Sequence, residues 1–348
     1  MQISAYAAPS EKENLGPIKI QRRDLKKDDV HIQIEYCGVC HSDIHYARNE
    51  WGVTTYPVVP GHEIIGRVQS VGENVKRFKT GDLVGVGCMV DSCQDCGDCH
   101  DNLEQYCANG FTGTYGGKDK HLGGTTHGGY STDIVVDHKF VLSVSEKLDT
   151  KAVAPLLCAG ITTYSPLRQW KVKKGDKVGV IGLGGLGHMG IKLASAMGAH
   201  VVMITRSPSK AEDAKKLGAH EVLISTDEDQ MQKHLSSFDF LLNTIPVKHD
   251  MNPYVGLLKR DATMVIVGAI EPLESLHGGG LVMKRRRIAG SLIGGIKETQ
   301  EMLDFCAEHN IVSDVEMIKM SEINKAYDNV VHSNVKYRYV IDMKNSEM

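Results

Sequence analysis

The sequence predicts a two-domain α/β protein, with a β-rich domain first and a doubly wound parallel sheet flanked by helices second. Three observations predict it. A chain of 348 residues is longer than one ordinary core accommodates. As far as about residue 150 it shows short apolar runs punctuated by glycine, such as "HIQIEYCGV", "EIIGRVQSVG" and "GDLVGVG", the pattern of twisted, bulged strands. From "KKGDKVGVIGLGGLGHMGIKLASAMGAHVVMITRS" onward the pattern becomes strand, helix, strand, continued by "AKKLGAHEVLI", "FDFLLNTI", "YVGLLKRDATMVIVGAI" and "RIAGSLIGGIKETQEMLDFCAEH". Such alternation implies a parallel sheet. The expected divisions are 1–150, 151–288 and 289–348, the last ending in an alternating strand within "AYDNVVHSNVKYRYVIDM" that returns to the first domain.

Composition narrows the class. With 41% hydrophobic and 24% charged residues the chain reads as soluble and globular, and "MQISAYAAPS" lacks the basic start and apolar core of a secretion signal, so a cytoplasmic location is expected. The apolar run "VGVIGLGGLGHMGIKLASAMGAHVVMI" carries Lys192 and recurrent glycines, which fits a strand, turn and helix better than a membrane span. A net charge of -3 gives no electrostatic case for nucleic acid or acidic membrane partners. The short basic run Lys284–Arg287 reads as solvated or locally paired surface.

Nine cysteines are an odd number, and in a cytosolic chain of this size thiols stay reduced, which disfavours a disulfide framework. In "DSCQDCGDCHDNLEQYC", Cys93, Cys96, Cys99 and Cys107 are spaced so that four thiolates from one loop can converge on a tetrahedral zinc. Such a cage is closed, hence structural. A redox pair is the alternative, imitated still better by "CGVC" at Cys37–Cys40, but it should open a helix in a thioredoxin-like unit. A nucleic-acid zinc ribbon shares the spacing, yet Asp91–Cys107 holds Asp91, Asp95, Asp98, Asp101 and Glu104 and no Lys or Arg, so it would repel phosphate.

The glycines Gly182, Gly184 and Gly187, with Gly185 and Leu186 between them, form a G-x-G-x-x-G turn after the strand "KVGVI" and before the helix "HMGIKLASAMG". In that setting the first glycine makes the turn, the second admits a pyrophosphate, and the third packs helix on strand. The phosphate then meets a helix N-terminus. The next strand, "HVVMI", ends in Thr205, Arg206 and Ser207, with Lys210 shortly after. A carboxylate for the ribose hydroxyls is absent and two cations are present, which suits a 2'-phosphate, so NADP is the expected dinucleotide.

The segments "CGVCHSDIH", "YPVVPGHE" and "APLLCAGITTY" offer Cys40, His62 and Cys158, a Cys₂His set of the kind that leaves one position of a catalytic zinc open. Taken singly, Cys158 in its apolar segment reads as core. "GHEIIG" is not H-E-x-x-H, so a metalloprotease reading fails.

Taken in order, these segments, the four-cysteine loop and the glycine turn resemble the zinc-containing medium-chain alcohol dehydrogenases. Within them the chain is similar to the cinnamyl alcohol dehydrogenase type and its bacterial relatives, the broad-specificity NADPH-dependent aldehyde reductases. The resemblance covers essentially the whole chain and is carried by "CGVCHSDIH", "VPGHE", "LLCAGITTYSPL" and "VKYRYVID". It implies a GroES-like catalytic domain built from both chain ends, an inserted Rossmann domain binding NADP(H), and an active site in the cleft between them. Two Zn2+ per chain are implied, a catalytic one on Cys40, His62 and Cys158 with Glu63 close by, and a structural one on Cys93, Cys96, Cys99 and Cys107. Asp43 is implied to orient the histidine ligand, Ser42 and His45 to relay a proton, Thr162 to face the nicotinamide, and Arg338 to lie near the pyrophosphate.

The implied reaction is reversible reduction of aldehydes to primary alcohols by direct hydride transfer to a zinc-polarised carbonyl. By position in the motifs, Trp51, Val53, Thr112, Leu292 and Ile293 should face the substrate. Plant enzymes of this type usually carry tryptophan where Thr112 stands, so a tolerant pocket for aromatic and medium aliphatic aldehydes is expected. A homodimer joined through the nucleotide domains is implied too. Cys37, Cys88 and Cys306 read as small buried hydrophobes. Two other readings exist: a zinc-stabilised redox sensor without turnover, which would be expected to lose a ligand or relay residue, and an NAD-dependent alcohol oxidiser, against which Arg206 argues.

Overall fold

The computed structural model describes residues 1–268, 272–332 and 334–348. The chain forms two compact units, Met1–Cys158 with Gly294–Met348, and Ala159–Ile293. These divisions lie several residues beyond the expected 150/151 and 288/289. The helix Thr150–Val153 and the 3-10 turn Ala154–Leu157 bury Ala152, Val153, Leu156 and Leu157. They pack against strands of the first unit, so burial keeps the segment that ends in Cys158 with the first unit. At the other division the Ser291 N–H donates to Ile266 O at 3.2 Å, which keeps Ser291 with the second.

The first unit is built on a mixed sheet in the order Val315–Ile318, Arg338–Asp342, Asp29–Gly38, Ile64–Val71, Leu83–Val86, Leu142–Ser143, with Asp133–Asp137 also paired to Asp29–Gly38. The returning strand Arg338–Asp342 is therefore interior. It pairs antiparallel with Asp29–Gly38, Ile341 opposite Cys37, and parallel with Val315–Ile318. Its side chains are buried as far as Ile341, which explains the apolar "YVI" there. Asp29–Gly38 alternates buried and open positions and shifts register against Ile64–Val71 at His31/Ile32 and Ile34/Tyr36, bulges of the kind that bend a strand. It ends at Gly38, where an added Cβ would lie 1.8 Å from Glu63 Oε2. Only glycine leaves room for that carboxylate.

A two-strand ribbon, Met89–Asp91 against Thr112–Gly113, closes the loop that carries the four cysteines. The lobe docks through Glu104, whose Oε2 accepts from the Ile296 N–H at 3.0 Å. This places a carboxylate at the N-terminus of the helix Ile296–His309, where the macrodipole favours it.

The second unit is a six-stranded parallel sheet ordered Glu221–Ile224, His200–Thr205, Lys177–Ile181, Phe238–Asn243, Leu258–Ile266, Arg287–Gly290. In order of appearance the strands lie 3-2-1-4-5-6, the doubly wound arrangement that the strand and helix alternation predicts. The inner strands are apolar on both faces, as parallel strands covered by helices must be. The residues "AI" closing "MVIVGAI" lie outside the described residues. The basic run is locally paired: Arg285 forms a bidentate pair with Asp261, and Arg286 donates to the carbonyls of Leu258, Gly280 and Gly256. Among the described residues no helix is long and apolar enough to cross a membrane.

Because Ile341 is wholly buried in an interior strand, Ile341→Ala should destabilise the first unit by about 2–5 kcal/mol. Urea unfolding followed by circular dichroism measures this, and an unchanged midpoint would show that the return strand is not part of the core.

Candidate active site and metal centres

Two groups of side chains in the first unit converge as metal donors do. In one, the ligand atoms of Cys40, His62, Glu63 and Cys158 all lie within 4.8 Å of one another; in the other, those of Cys93, Cys96, Cys99 and Cys107 do. All nine cysteines are free. Zinc–sulfur bonds of about 2.3 Å at tetrahedral angles set two sulfurs about 3.8 Å apart. Cys40 Sγ and Cys158 Sγ stand 3.8 Å apart, and Cys93 Sγ and Cys99 Sγ 3.9 Å. Both pairs fit thiolates sharing one ion.

The first group is assembled by backbone geometry around Asp43. Cys40 precedes the helix His41–Ala47, and Asp43, one turn in, accepts from the Cys40 N–H at 2.8 Å and from the Gly61 N–H at 3.1 Å. Its Oδ1 also lies 3.2 Å from His62 Nδ1. That contact leaves Nε2 as the nitrogen available to a metal, the usual division of labour for a ligating imidazole. Burial lowers the basicity of His62, but Asp43, together with Cys88 and Cys40, raises it well above the usual imidazole range. The contact between the two thiols holds Cys40 well below the usual thiol range and raises Cys158.

Glu63 is fully buried. Its Oε1 pairs with Arg338, which also donates to Val39 O at 2.9 Å. Oε2 finds no hydrogen-bond partner among the described residues. Burial pushes the Glu63 carboxyl up to about 7 against the pull of Arg338. A buried carboxylate with one unpartnered oxygen, close to two thiols and an imidazole, is part of a donor set suited to a cation.

In the second group, backbone N–H groups also turn toward sulfur: Cys93 N–H toward Cys107 Sγ and Ala108 N–H toward Cys96 Sγ, each at 3.4 Å. Cys93 is pulled down to about 6, chiefly by the Asp95 backbone, while burial pushes Cys99 up to about 11. With four sulfurs and no open position, the cage fits a structural ion.

The glycine turn of the second unit separates three roles by geometry. Gly182 has φ +95° and its added Cβ would lie 2.9 Å from Thr244 Oγ1; at Gly187 an added Cβ would lie 2.0 Å from Gly182 O; at Gly184 it would meet nothing within 4 Å. Two of the glycines are thus required by the protein's own packing, while the middle one faces open space, a cradle suited to a pyrophosphate at the start of the helix Gly187–Ala196. Lys210 Nζ donates to Leu183 O at 3.1 Å, tying the end of the next strand to this turn. Arg206 is exposed at that strand end, and Ser207 N–H donates to Thr205 Oγ1 at 3.1 Å.

Ser42 and His45 lie three residues apart on the helix His41–Ala47, hence on one face. Ser42 Oγ is 3.7 Å from Cys40 Sγ. His45 Nδ1 pairs with Glu50, a partner sequence reasoning missed, and its ring stacks on Trp51 with centroids 5.1 Å apart. Trp51 and Val53 are exposed, Thr112 is buried, Thr162 is buried in the helix Ala159–Gln169, and at the end of the second unit Leu292 is exposed and Ile293 buried. Sequence reasoning also missed Tyr115, whose ring centroid lies 5.5 Å from that of His62, and Tyr130, whose hydroxyl donates to Asp43 Oδ2 at 3.3 Å. No spacing rule marks a tyrosine for such a contact. Cys37 and Cys306 are buried, but Cys88 is only half-buried and its thiol lies 3.6 Å from Leu157 O, so the reading of Cys88 as a plain buried hydrophobe needs correcting.

Residues 26–146 match the family described as Alcohol dehydrogenase GroES-like domain, and residues 185–308 match Zinc-binding dehydrogenase. The chain is 57% identical to aldehyde reductase YahK of Escherichia coli, over 98% of each chain. It is 51% identical to NADP-dependent alcohol dehydrogenase C 1 of Mycolicibacterium smegmatis, over 98% of this chain and 97% of that one. Among solved structures, a cinnamyl alcohol dehydrogenase from Sorghum bicolor superposes with a TM-score of 0.96 at 41% identity, covering 100% of this chain and 99% of the other.

The glycine geometry makes a paired prediction. Gly187→Ala, which forces a Cβ against Gly182 O, should lower the melting temperature by several degrees, whereas Gly184→Ala should leave it unchanged and weaken dinucleotide binding. Thermal denaturation and fluorescence titration with NADPH separate the two; equal stability losses would contradict the assignment of roles.

Proposed function

The chain belongs to the zinc-binding alcohol dehydrogenase family, and from that premise we propose that it reduces aromatic and aliphatic aldehydes reversibly to primary alcohols with NADPH. The observation that carries this reading is the convergence of Cys40, His62, Cys158 and the buried Glu63 carboxylate in one unit of a chain whose other unit presents a glycine turn and a cationic strand end. Cys40, His62 and Cys158 would hold the catalytic zinc, with Glu63 beside it, and Cys93, Cys96, Cys99 and Cys107 the structural zinc. Bound there, the catalytic ion supplies a Lewis acid for a carbonyl oxygen, and NADPH supplies the hydride.

The side chains supply the rest. Asp43 holds His62 through Nδ1 and Cys40 through its backbone. Ser42 Oγ delivers a proton to the product oxygen and is resupplied by His45, whose Nδ1 is held by Glu50 so that Nε2 is the nitrogen that exchanges the proton. Gly182, Gly184, Gly185, Leu186 and Gly187 seat the pyrophosphate; Thr205, Arg206, Ser207 and Lys210 take the 2'-phosphate; Thr162 faces the nicotinamide. Arg338 stays proposed near the pyrophosphate, and it also pairs with Glu63. Trp51, Val53, Thr112, Leu292 and Ile293 remain the residues proposed to contact substrate. The protein works in the cytoplasm as a homodimer. Supporting the dimer, Arg287–Gly290 is an edge strand of its sheet, and the neighbouring Val282 and Met283 are 78% and 83% exposed.

Initial rates of NADPH and NADH oxidation with benzaldehyde and cinnamaldehyde, measured on zinc-replete protein, test the reading. Rapid NADPH oxidation with little NADH activity is expected. Arg206→Asp should shift the ratio of kcat/KM for NADPH over NADH by about a hundredfold, the value of a lost charge-assisted contact. Oxidation of neither cofactor would overturn the enzyme reading, and an unchanged ratio in the variant would overturn the phosphate site.

A further inference from the structure

Asp43 receives more than the contacts that join it to Cys40 and His62. Its Oδ2 also accepts from Tyr130 OH at 3.3 Å, and Tyr327 OH donates in turn to Tyr130 OH at 3.5 Å. All three side chains are buried, Asp43 and Tyr130 completely. A buried hydroxyl needs a partner, and here two hydroxyls form a directed chain that ends on the carboxylate. The arrangement is built rather than incidental. Gly61, whose N–H donates to Asp43 Oδ1, has φ +100° and would place an added Cβ 2.7 Å from the Tyr130 ring. The Tyr130 N–H donates to Pro60 O at 3.0 Å, and the Gly129 N–H to Gly61 O at 2.8 Å. The tyrosine is thereby pinned to the two residues that precede His62. Tyr327 comes from the opposite end of the chain, on the helix Ile323–Val331.

We propose that Tyr130 and Tyr327 are positioning residues of the catalytic metal centre, holding the Asp43 carboxylate in the orientation that presents His62 and Cys40 to the ion. The inference rests on the reading of Cys40, His62 and Cys158 as zinc ligands. With Tyr130 removed, Oδ2 keeps the Cys40 N–H but loses a hydroxyl donor, which frees the carboxylate to rotate and the imidazole to follow it. The four-cysteine cage shares none of these contacts, which makes it an internal reference.

The test uses the full-length, zinc-loaded protein. Zinc release to a chromogenic chelator is followed over time, together with the visible absorption of the form carrying Co2+ in place of the catalytic zinc. Tyr130→Phe, which keeps the ring, should release the zinc of one centre about tenfold faster, the lower end of what loss of an outer-shell partner costs. The other zinc should leave at the parent rate, and the cobalt bands should shift. Tyr327→Phe should act in the same direction and more weakly; if Tyr130→Phe does not fold, this variant decides alone. In an Asp43→Asn background, Tyr130→Phe should add nothing, because its effect passes through the carboxylate. Parent release rates with superimposable cobalt spectra in the folded variants would overturn the inference. Parent protein that holds only the zinc of the four-cysteine cage would instead overturn the metal-centre reading beneath it.

Discussion

The candidate catalytic centre depends on one buried carboxylate. Asp43 accepts from the backbones of Cys40 and Gly61, faces the imidazole of His62, and takes the Tyr130 hydroxyl. A charge fully removed from water must be matched by donors or it is expelled. Here the donors that satisfy it are the groups whose positions define the site. The same contacts that make the buried charge tolerable therefore bring a helix N-terminus and a distant turn together, and a metal-ligand geometry results from local hydrogen-bond satisfaction.

Closure of the first unit by the end of the chain follows the same logic. Arg338 opens the interior strand Arg338–Asp342 and pairs with Glu63, and Tyr327 lies on the helix before it. A buried ion pair contributes little net stability once desolvation is counted. Its value here is positional, since Arg338 engages Oε1 and leaves Oε2 without a hydrogen-bond partner, in space that Gly38 supplies. Glu63 is thus held directly by a residue that arrives last in the chain, and Asp43 is reached from there only through the Tyr130 hydroxyl, to which Tyr327 donates.

Features whose physics is local were legible in the sequence. The G-x-G-x-x-G turn could be read because each glycine answers a constraint within a few residues, and the structure separates packing at Gly182 and Gly187 from open space at Gly184. The four clustered cysteines could be read because one loop spaces them, and strand and helix alternation was enough to anticipate a parallel sheet flanked by helices, though not its 3-2-1-4-5-6 order. Cys40 and Cys158 are 118 positions apart; only the constellation and a resemblance linked them. Glu50, Tyr115, Tyr130 and Tyr327 escaped notice because a carboxylate after a helix and a tyrosine in a β-rich domain have many ordinary uses. The first division shifted because the segment before Cys158, expected to belong to the second domain, packs its apolar side chains onto the first sheet.

The central claim is that one unit gathers two chemically different donor sets, four sulfurs in one, and two sulfurs with an imidazole in the other. Zinc K-edge X-ray absorption of the purified protein tests it most directly. Two zincs per chain with an average of about three sulfurs at about 2.3 Å and about one nitrogen or oxygen at about 2.0 Å is the predicted result. One zinc per chain in an all-sulfur shell would contradict the account, because it would leave Cys40, His62 and Cys158 without the ion that their geometry implies.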